Sequence, residues 1–209
     1  MVSLARSVVL ALAALLATPS WPAAAAVQPA DAREVEAPQV DLTLTDLGST
    51  VAIRVSVIVA CDPATAWKVL TDYGRYASFI PSVETSRVVE RDGMRVVVEQ
   101  TDRAPPWLLR MPVEVVYRIS EYPPTRVESR ASLDDGDTLD SDYRLTAGPQ
   151  GVRLDYVGRL TARRGMLEWL HEKAGARAIG EQVRALAHEM EREAHESGSR
   201  KAELPDEGR

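Results

Sequence analysis

From Val40 onward, apolar and polar positions alternate with a period of two. Val40, Leu42 and Leu44 are separated by Asp41, Thr43 and Thr45; after a Leu47-Gly48-Ser49 turn, Val51, Ile53, Val55, Val57 and Val59 repeat the pattern. Successive side chains of an extended chain point to opposite faces, so this spacing predicts a hairpin of two strands with one dry face. Asp62-Pro63 then supplies an N-cap and a first-turn proline for a helix through Leu70. A second short helix is expected around Gly74 to Phe79, capped by Asp72 and stopped at Ile80-Pro81.

Six further alternating runs follow, at about residues 83–91, 94–103, 112–121, 125–133, 137–146 and 151–161. Asp92-Gly93, Pro123-Pro124, Asp135-Gly136 and Gly148-Pro149-Gln150-Gly151 punctuate them as turns. Val115, Tyr117 and Ile119 oppose Glu114 and Arg118; Ser141, Tyr143 and Leu145 oppose Asp140, Asp142 and Arg144. Such strands predict an antiparallel sheet covered on one side only. The cover is the single long stretch with helical spacing, Gly165 to Glu193. There Ile179, Val183, Leu186 and Met190 make one apolar stripe, reaching back through Ala176 toward Leu170, Trp169 and Met166. The remaining face, with Glu189, Glu191 and Glu193 beside His188, reads as solvated. The class is α+β: a curved antiparallel sheet wrapped around a long C-terminal helix, with two short helices after the first long strand, the helix-grip arrangement.

Both ends of the chain depart from this pattern. Arg6 and the ten apolar residues from Val8 to Ala17, too short to span a bilayer, are followed by Thr18, Pro19, Pro22 and then Ala24-Ala25-Ala26. Residues 1–26 are therefore expected to be a signal peptide cleaved after Ala26, placing the product in a periplasm or outside the cell. Residues 27–39 read as a flexible lead-in, 40–195 as the domain, and 196–209 as a disordered tail. No later stretch is apolar enough to suggest a transmembrane segment in the mature chain.

Removing 26 of 209 residues leaves 183 with 24 basic and 31 acidic side chains, a net charge of −7. That balance, without any basic run, makes nucleic acid a poor partner. Cys61 is the only cysteine, so no internal disulfide is available, and at a strand end it reads as a small buried hydrophobe.

Catalytic signatures are scarce. No G-x-S-x-G, phosphate loop, G-x-G-x-x-G or C-x-x-C occurs. His188 and His195 lie seven apart, and an H-E-x-x-H motif would need histidine where Arg192 stands. No metal, cofactor or catalytic residue is assigned. If chemistry occurs, inward groups such as Tyr143, Gln100 or Asp102 would supply acid or base.

Several motifs together carry a family likeness. D-P-A-x-A-W at Asp62 to Trp67, L-T-D-Y-x-x-Y at Leu70 to Tyr76 and F-I-P at Phe79 to Pro81 stand in order, with E-R-D-G at Glu90 to Gly93 and V-E-Q at Val98 to Gln100 behind them. The chain resembles the START-like (SRPBCC) superfamily, in its coenzyme Q-binding and polyketide cyclase/dehydrase-like subgroup, over about Val51 to Met190. The resemblance implies the helix-grip fold and a hydrophobic small-molecule ligand, and says little about activity because one fold hosts carriers and enzymes alike. Trp67, Tyr73, Tyr76 and Phe79 are expected to plug one end of the sheet with apolar bulk.

The inward positions mix small residues (Ser129, Ala131, Ser141, Gly158) with long, polar-tipped ones (Gln100, Tyr117, Tyr143, Tyr156). Small residues leave room and polar tips orient a guest; a filled core with satisfied tyrosine hydroxyls is the competing reading. Trp107, in the apolar loop A-P-P-W-L-L-R-M-P, is expected at a pocket mouth, at a membrane surface in transient contact, or in an ordinary connection. The candidate ligand-binding set is Gln100, Trp107, Tyr117, Ser129, Ser141, Tyr143, Tyr156, Trp169 and Leu170. The function expected is non-enzymatic binding or transport of a lipid or isoprenoid quinone-like molecule in the cell envelope. The alternative is a cyclase or dehydratase acting on an aromatic or polyketide-like substrate.

Overall fold

The alternating register near the N-terminus forms the expected hairpin: β1 is Asp41–Asp46 and β2 Thr50–Val59, with Leu42 opposite Val55 and Leu44 opposite Ile53. The computed structural model describes residues 39–103, 113–132, 136–162 and 173–203. The expected signal peptide, the lead-in up to residue 38 and the Trp107 loop lie outside the described residues, as do Trp169 and Leu170.

Asp62 caps α1 (Pro63–Leu70): its Oδ1 accepts from the backbone N–H of Ala64 at 2.9 Å and of Thr65 at 3.0 Å, with Pro63 in the first turn. A 3₁₀ turn, Tyr73–Arg75, leads into α2, Tyr76–Phe79. Asp72 occupies the cap position here but makes no side-chain capping bond. Its carboxylate instead faces Arg75 at 3.4 Å, because that guanidinium competes for it.

The remaining strands are β3 (Val83–Asp92), β4 (Arg95–Asp102), β5 (Val113–Tyr122), β6 (Arg126–Ser132), β7 (Thr138–Gly148) and β8 (Gly151–Thr161). They form one antiparallel sheet in the order β1-β2-β8-β7-β6-β5-β4-β3, so the meander's last strand returns to lie against the N-terminal hairpin. Gly151, at φ +121°, makes the β7–β8 turn possible. A Cβ there would stand 2.1 Å from the carbonyl oxygen of Val59, a contact no other residue type could tolerate.

The long helix α3 runs Lys173–Glu203. Residues 196–203, expected as a disordered tail, are helical instead. Arg192 pairs with Glu189 and Glu196 one turn either side, and the good helix formers around them outweigh Gly198. The apolar stripe is where the spacing placed it: Val183, Leu186, Ala187 and Met190 are buried. Glu189 is a second correction, since it is 6 % exposed and not on a solvated face. Burial is made tolerable by Arg75 Nη2 and Arg192 Nη2, each 2.6 Å from its Oε1. Lys68 and Arg75 reach Glu193 at 2.8 and 3.1 Å, tying the short helices to α3.

What positions the site is where α3 packs. Its close neighbours are β2, β1, α1 and α2. There Val57, Val59, Val152, Leu154 and Leu70 close up against Met190 in a dry core. The middle strands β4–β7 are spanned without being pressed upon.

Candidate functional site

The space between α3 and the middle strands is a cavity of about 540 Å3, within the range of small-molecule sites. Its walls are mainly apolar: Val98, Val115, Ile119, Val127 and Leu160 from the sheet, Ile179 and Leu186 from the helix. Alternation along each strand aims these side chains inward, while the sheet contacts of α3 fall mainly on β2 and β1. The structure brings Gln100, Tyr117, Ser129, Ser141, Tyr143 and Tyr156 together around this one hollow.

Five of the six tyrosines line it; only Tyr122, exposed at the end of β5, does not. Tyr143 and Tyr156, opposite one another in the β7–β8 register, stack obliquely with ring centroids 4.8 Å apart. Tyr156 Oη shares a hydrogen bond of 3.1 Å with Ser141 Oγ. Tyr73, Tyr76 and Phe79 form an edge-to-face row at 5.7 and 5.6 Å, and Tyr76 Oη donates to the carbonyl of Leu70 at 2.6 Å. The aromatics of the short helices thus plug one end as expected, although only Tyr73 is fully buried. Burial pushes Tyr76, Tyr117 and Tyr143 well above the ordinary phenol value, so each offers a neutral hydroxyl.

The small residues do not all leave room. Gly158 was expected to open space, but the Tyr156 side chain lies over it, and Ser141 spends its hydroxyl on that same phenol.

Two features lay outside the candidate ligand-binding set, the first of them already named above as an inward acid or base. Asp102 also lines the cavity; burial raises its carboxyl from 3.8 to about 6, with the Gln100 amide, donating to Oδ1 at 2.7 Å, pulling the other way. At the opposite end of the sheet Glu121, 7 % exposed, is held by Arg91 Nη1 and Nη2 at 3.0 and 3.2 Å. The buried hydroxyl of Tyr73 makes no hydrogen bond of full geometry among the described residues, but Glu121 lies close to it; desolvation first, then Glu121, hold it protonated. Glu121 was legible in principle, since it continues the inward parity of Tyr117 and Ile119. Arg91 was not, because an irregularity between Val88 and Glu90 shifts its register.

Among the described residues, no group of three or more His, Cys, Asp or Glu side chains is placed to hold a metal. No described helix is long and apolar enough to cross a membrane.

A family model described as polyketide cyclase/dehydrase and lipid transport matches residues 50–194. The chain belongs to this family. Among solved structures, similar ones include the Zhui aromatase/cyclase from Streptomyces sp. R1128, with TM-score 0.62 and 18% identity over 71% of this chain and 98% of that one. A protein from Thermus thermophilus aligns with TM-score 0.56 and 15% identity over 70% and 98%. A STAR-related lipid transfer protein from Xanthomonas axonopodis aligns with TM-score 0.52 and 14% identity over 76% and 96%. No curated protein matches this chain. At such identities the likeness shows the helix-grip fold. The polyketide cyclase/dehydrase and lipid transport family covers both roles in its own description, and membership supports a domain that binds a hydrophobic ligand.

Proposed function

We propose that this chain is a non-enzymatic carrier that sequesters or transports an apolar small molecule, of lipid or isoprenoid quinone type, in the cell envelope. The observation that carries the reading is the cavity of about 540 Å3, walled by valine, leucine and isoleucine and furnished with neutral phenols. A guest there exchanges water for apolar surface, at about 25 cal/mol per Å2 buried, and the hydroxyls orient it. The envelope location rests on the residue 1–26 pattern, and transient membrane contact on the apolar loop around Trp107.

Native mass spectrometry of protein purified from its own host tests this. A co-purifying lipid is expected, and Ser129→Phe, which fills the hollow from β6, should release it while the fold stays intact. A wild-type protein that is empty, and that takes up no lipid on incubation with host membranes, would overturn the reading.

One observation favours a second reading, a cyclase or dehydratase acting on an aromatic or polyketide-like substrate. Asp102, with its carboxyl near 6, could exchange protons inside an apolar cavity close to neutral pH. Turnover of such a substrate that disappears in Asp102→Asn would support it.

A further inference from the structure

Gln100 and Asp102 sit two apart on β4, both facing the cavity. The Gln100 amide donates to Oδ1 of Asp102 at 2.7 Å, while Oδ2 has no partner among the described residues. The two arginines sharing the cavity wall are directed elsewhere: Arg103 stands 3.8 Å from Glu84, and Arg177 donates to Glu181 at 2.7 Å. The phenols of the cavity are neutral. Asp102 is therefore the one cavity-lining carboxylate that has no cation beside it among the described residues. A carboxylate partly drawn out of water without a counter-ion is unfavourable unless donors reach it, and Asp102 lines the space where a guest would lie.

Resting on the carrier reading above, we propose that Asp102 sets head-group selectivity. The cavity takes apolar molecules whose polar end is a hydrogen-bond donor, a hydroxyl or a protonated amine, and turns away those ending in a carboxylate or phosphate. A donor head satisfies Oδ2 and relieves the unpaired charge. An anionic head adds a like charge in a medium that screens it poorly, and the neutral phenols around it supply no compensating cation.

The test holds the tail constant and varies the head. Delipidated full-length protein, with N-phenyl-1-naphthylamine as reporter, is titrated with dodecylamine, dodecanol and dodecanoate below their micellar limits at a pH well above the Asp102 value. Dodecanoate is expected to displace the reporter roughly tenfold or more weakly than dodecanol, and dodecylamine at least as well as dodecanol. Asp102→Asn should collapse the gap between alcohol and carboxylate to within about twofold. Dodecanoate binding as tightly as dodecanol in the wild type overturns the proposal, and that comparison needs no variant. A gap that persists unchanged in Asp102→Asn also overturns it and assigns the selectivity to another group. If none of the three probes binds, the carrier reading itself falls, and this inference falls with it.

Discussion

The hydroxyl of Tyr156 occupies the space above Gly158, two residues along the same strand: a Cβ at position 158 would lie 2.5 Å from Tyr156 Oη. The glycine exists to admit the phenol, and Ser141, opposite Gly158 on β7, fixes it with a 3.1 Å hydrogen bond. Gly158→Ala must swing the ring off its partner and into the cavity. The expected loss of stability is about 1–3 kcal/mol, with weaker uptake of apolar probes. Urea unfolding checks the first and probe titration the second; an alanine variant matching wild type in both would show that Tyr156 is free to move.

The carboxyl of Asp102 makes a prediction whose sign is the reverse of most acidic groups. Its value is raised from 3.8 to about 6 by burial, so between about pH 4 and 6 the folded protein keeps a proton that the unfolded chain has released. Stability therefore falls as pH rises through that window, by an amount on the order of 2 kcal/mol, at about 1.4 kcal/mol per unit. The charged groups on the same cavity wall, Arg103, Arg177 and Glu181, are unchanged in Asp102→Asn. That variant should unfold at higher urea than wild type above pH 6 and lose this part of the slope. An identical slope in wild type and variant would assign it elsewhere.

Glu193 acts with the opposite sign. Hydrogen bonds from Lys68 and then Arg75 depress its carboxyl from 4.5 to about 2. Its contribution is present above the ordinary value and is lost as pH falls toward 2. Glu193→Gln should match wild type near pH 2, flatten the acid side of a melting-temperature profile measured below pH 5 and lower the neutral plateau, modestly because Lys68 and Arg75 are largely exposed. A wild-type acid limb in the variant would remove Glu193 from the account.

Cys61 is buried at the end of β2, and desolvation, with Asp62 and Glu191 nearby, pushes its thiol up to about 11. Thiolate is the reactive form, so Ellman's reagent at pH 8 should modify the native protein slowly and the urea-unfolded protein at once. Rapid labelling of the native state would show that the β2–α1 corner opens.

At position 190 the methionine is fully buried against the β2 end of the sheet. Met190→Ala should destabilise by about 2–5 kcal/mol, read as a lower urea midpoint. It lies beyond the cavity, so the relative affinities of a probe series should keep their order. A reordered series would extend the site along α3.

Most of the architecture was legible because its signal is local. Strict alternation from Val51 to Val59 and from Val152 to Leu160 could only be a strand pair with one dry face, and the 179-183-186-190 stripe could only be a helix lying on it. Asp62 before Pro63 announced its helix by its own chemistry. Within the expected tail, residues 196–203 were misjudged because composition weighed glycine and charge without the ion pairs that carry the helix past Glu193. Glu189 was misplaced for a related reason: its burial depends on Arg75, 114 residues away, which no local pattern records.

The sequence by itself determined which residues face inward, since parity along a strand and spacing along a helix are set by backbone geometry. It also determined that this inner face carries phenols. Tertiary structure decided whether those faces meet. Packing α3 against β2 and α1, and away from β4–β7, turned an inward list into a hollow. That choice depends on the summed volumes of residues from many separate elements, and on Tyr156 filling the gap that Gly158 leaves. A volume left over after packing is a property of the whole fold, and no stretch of chain contains it.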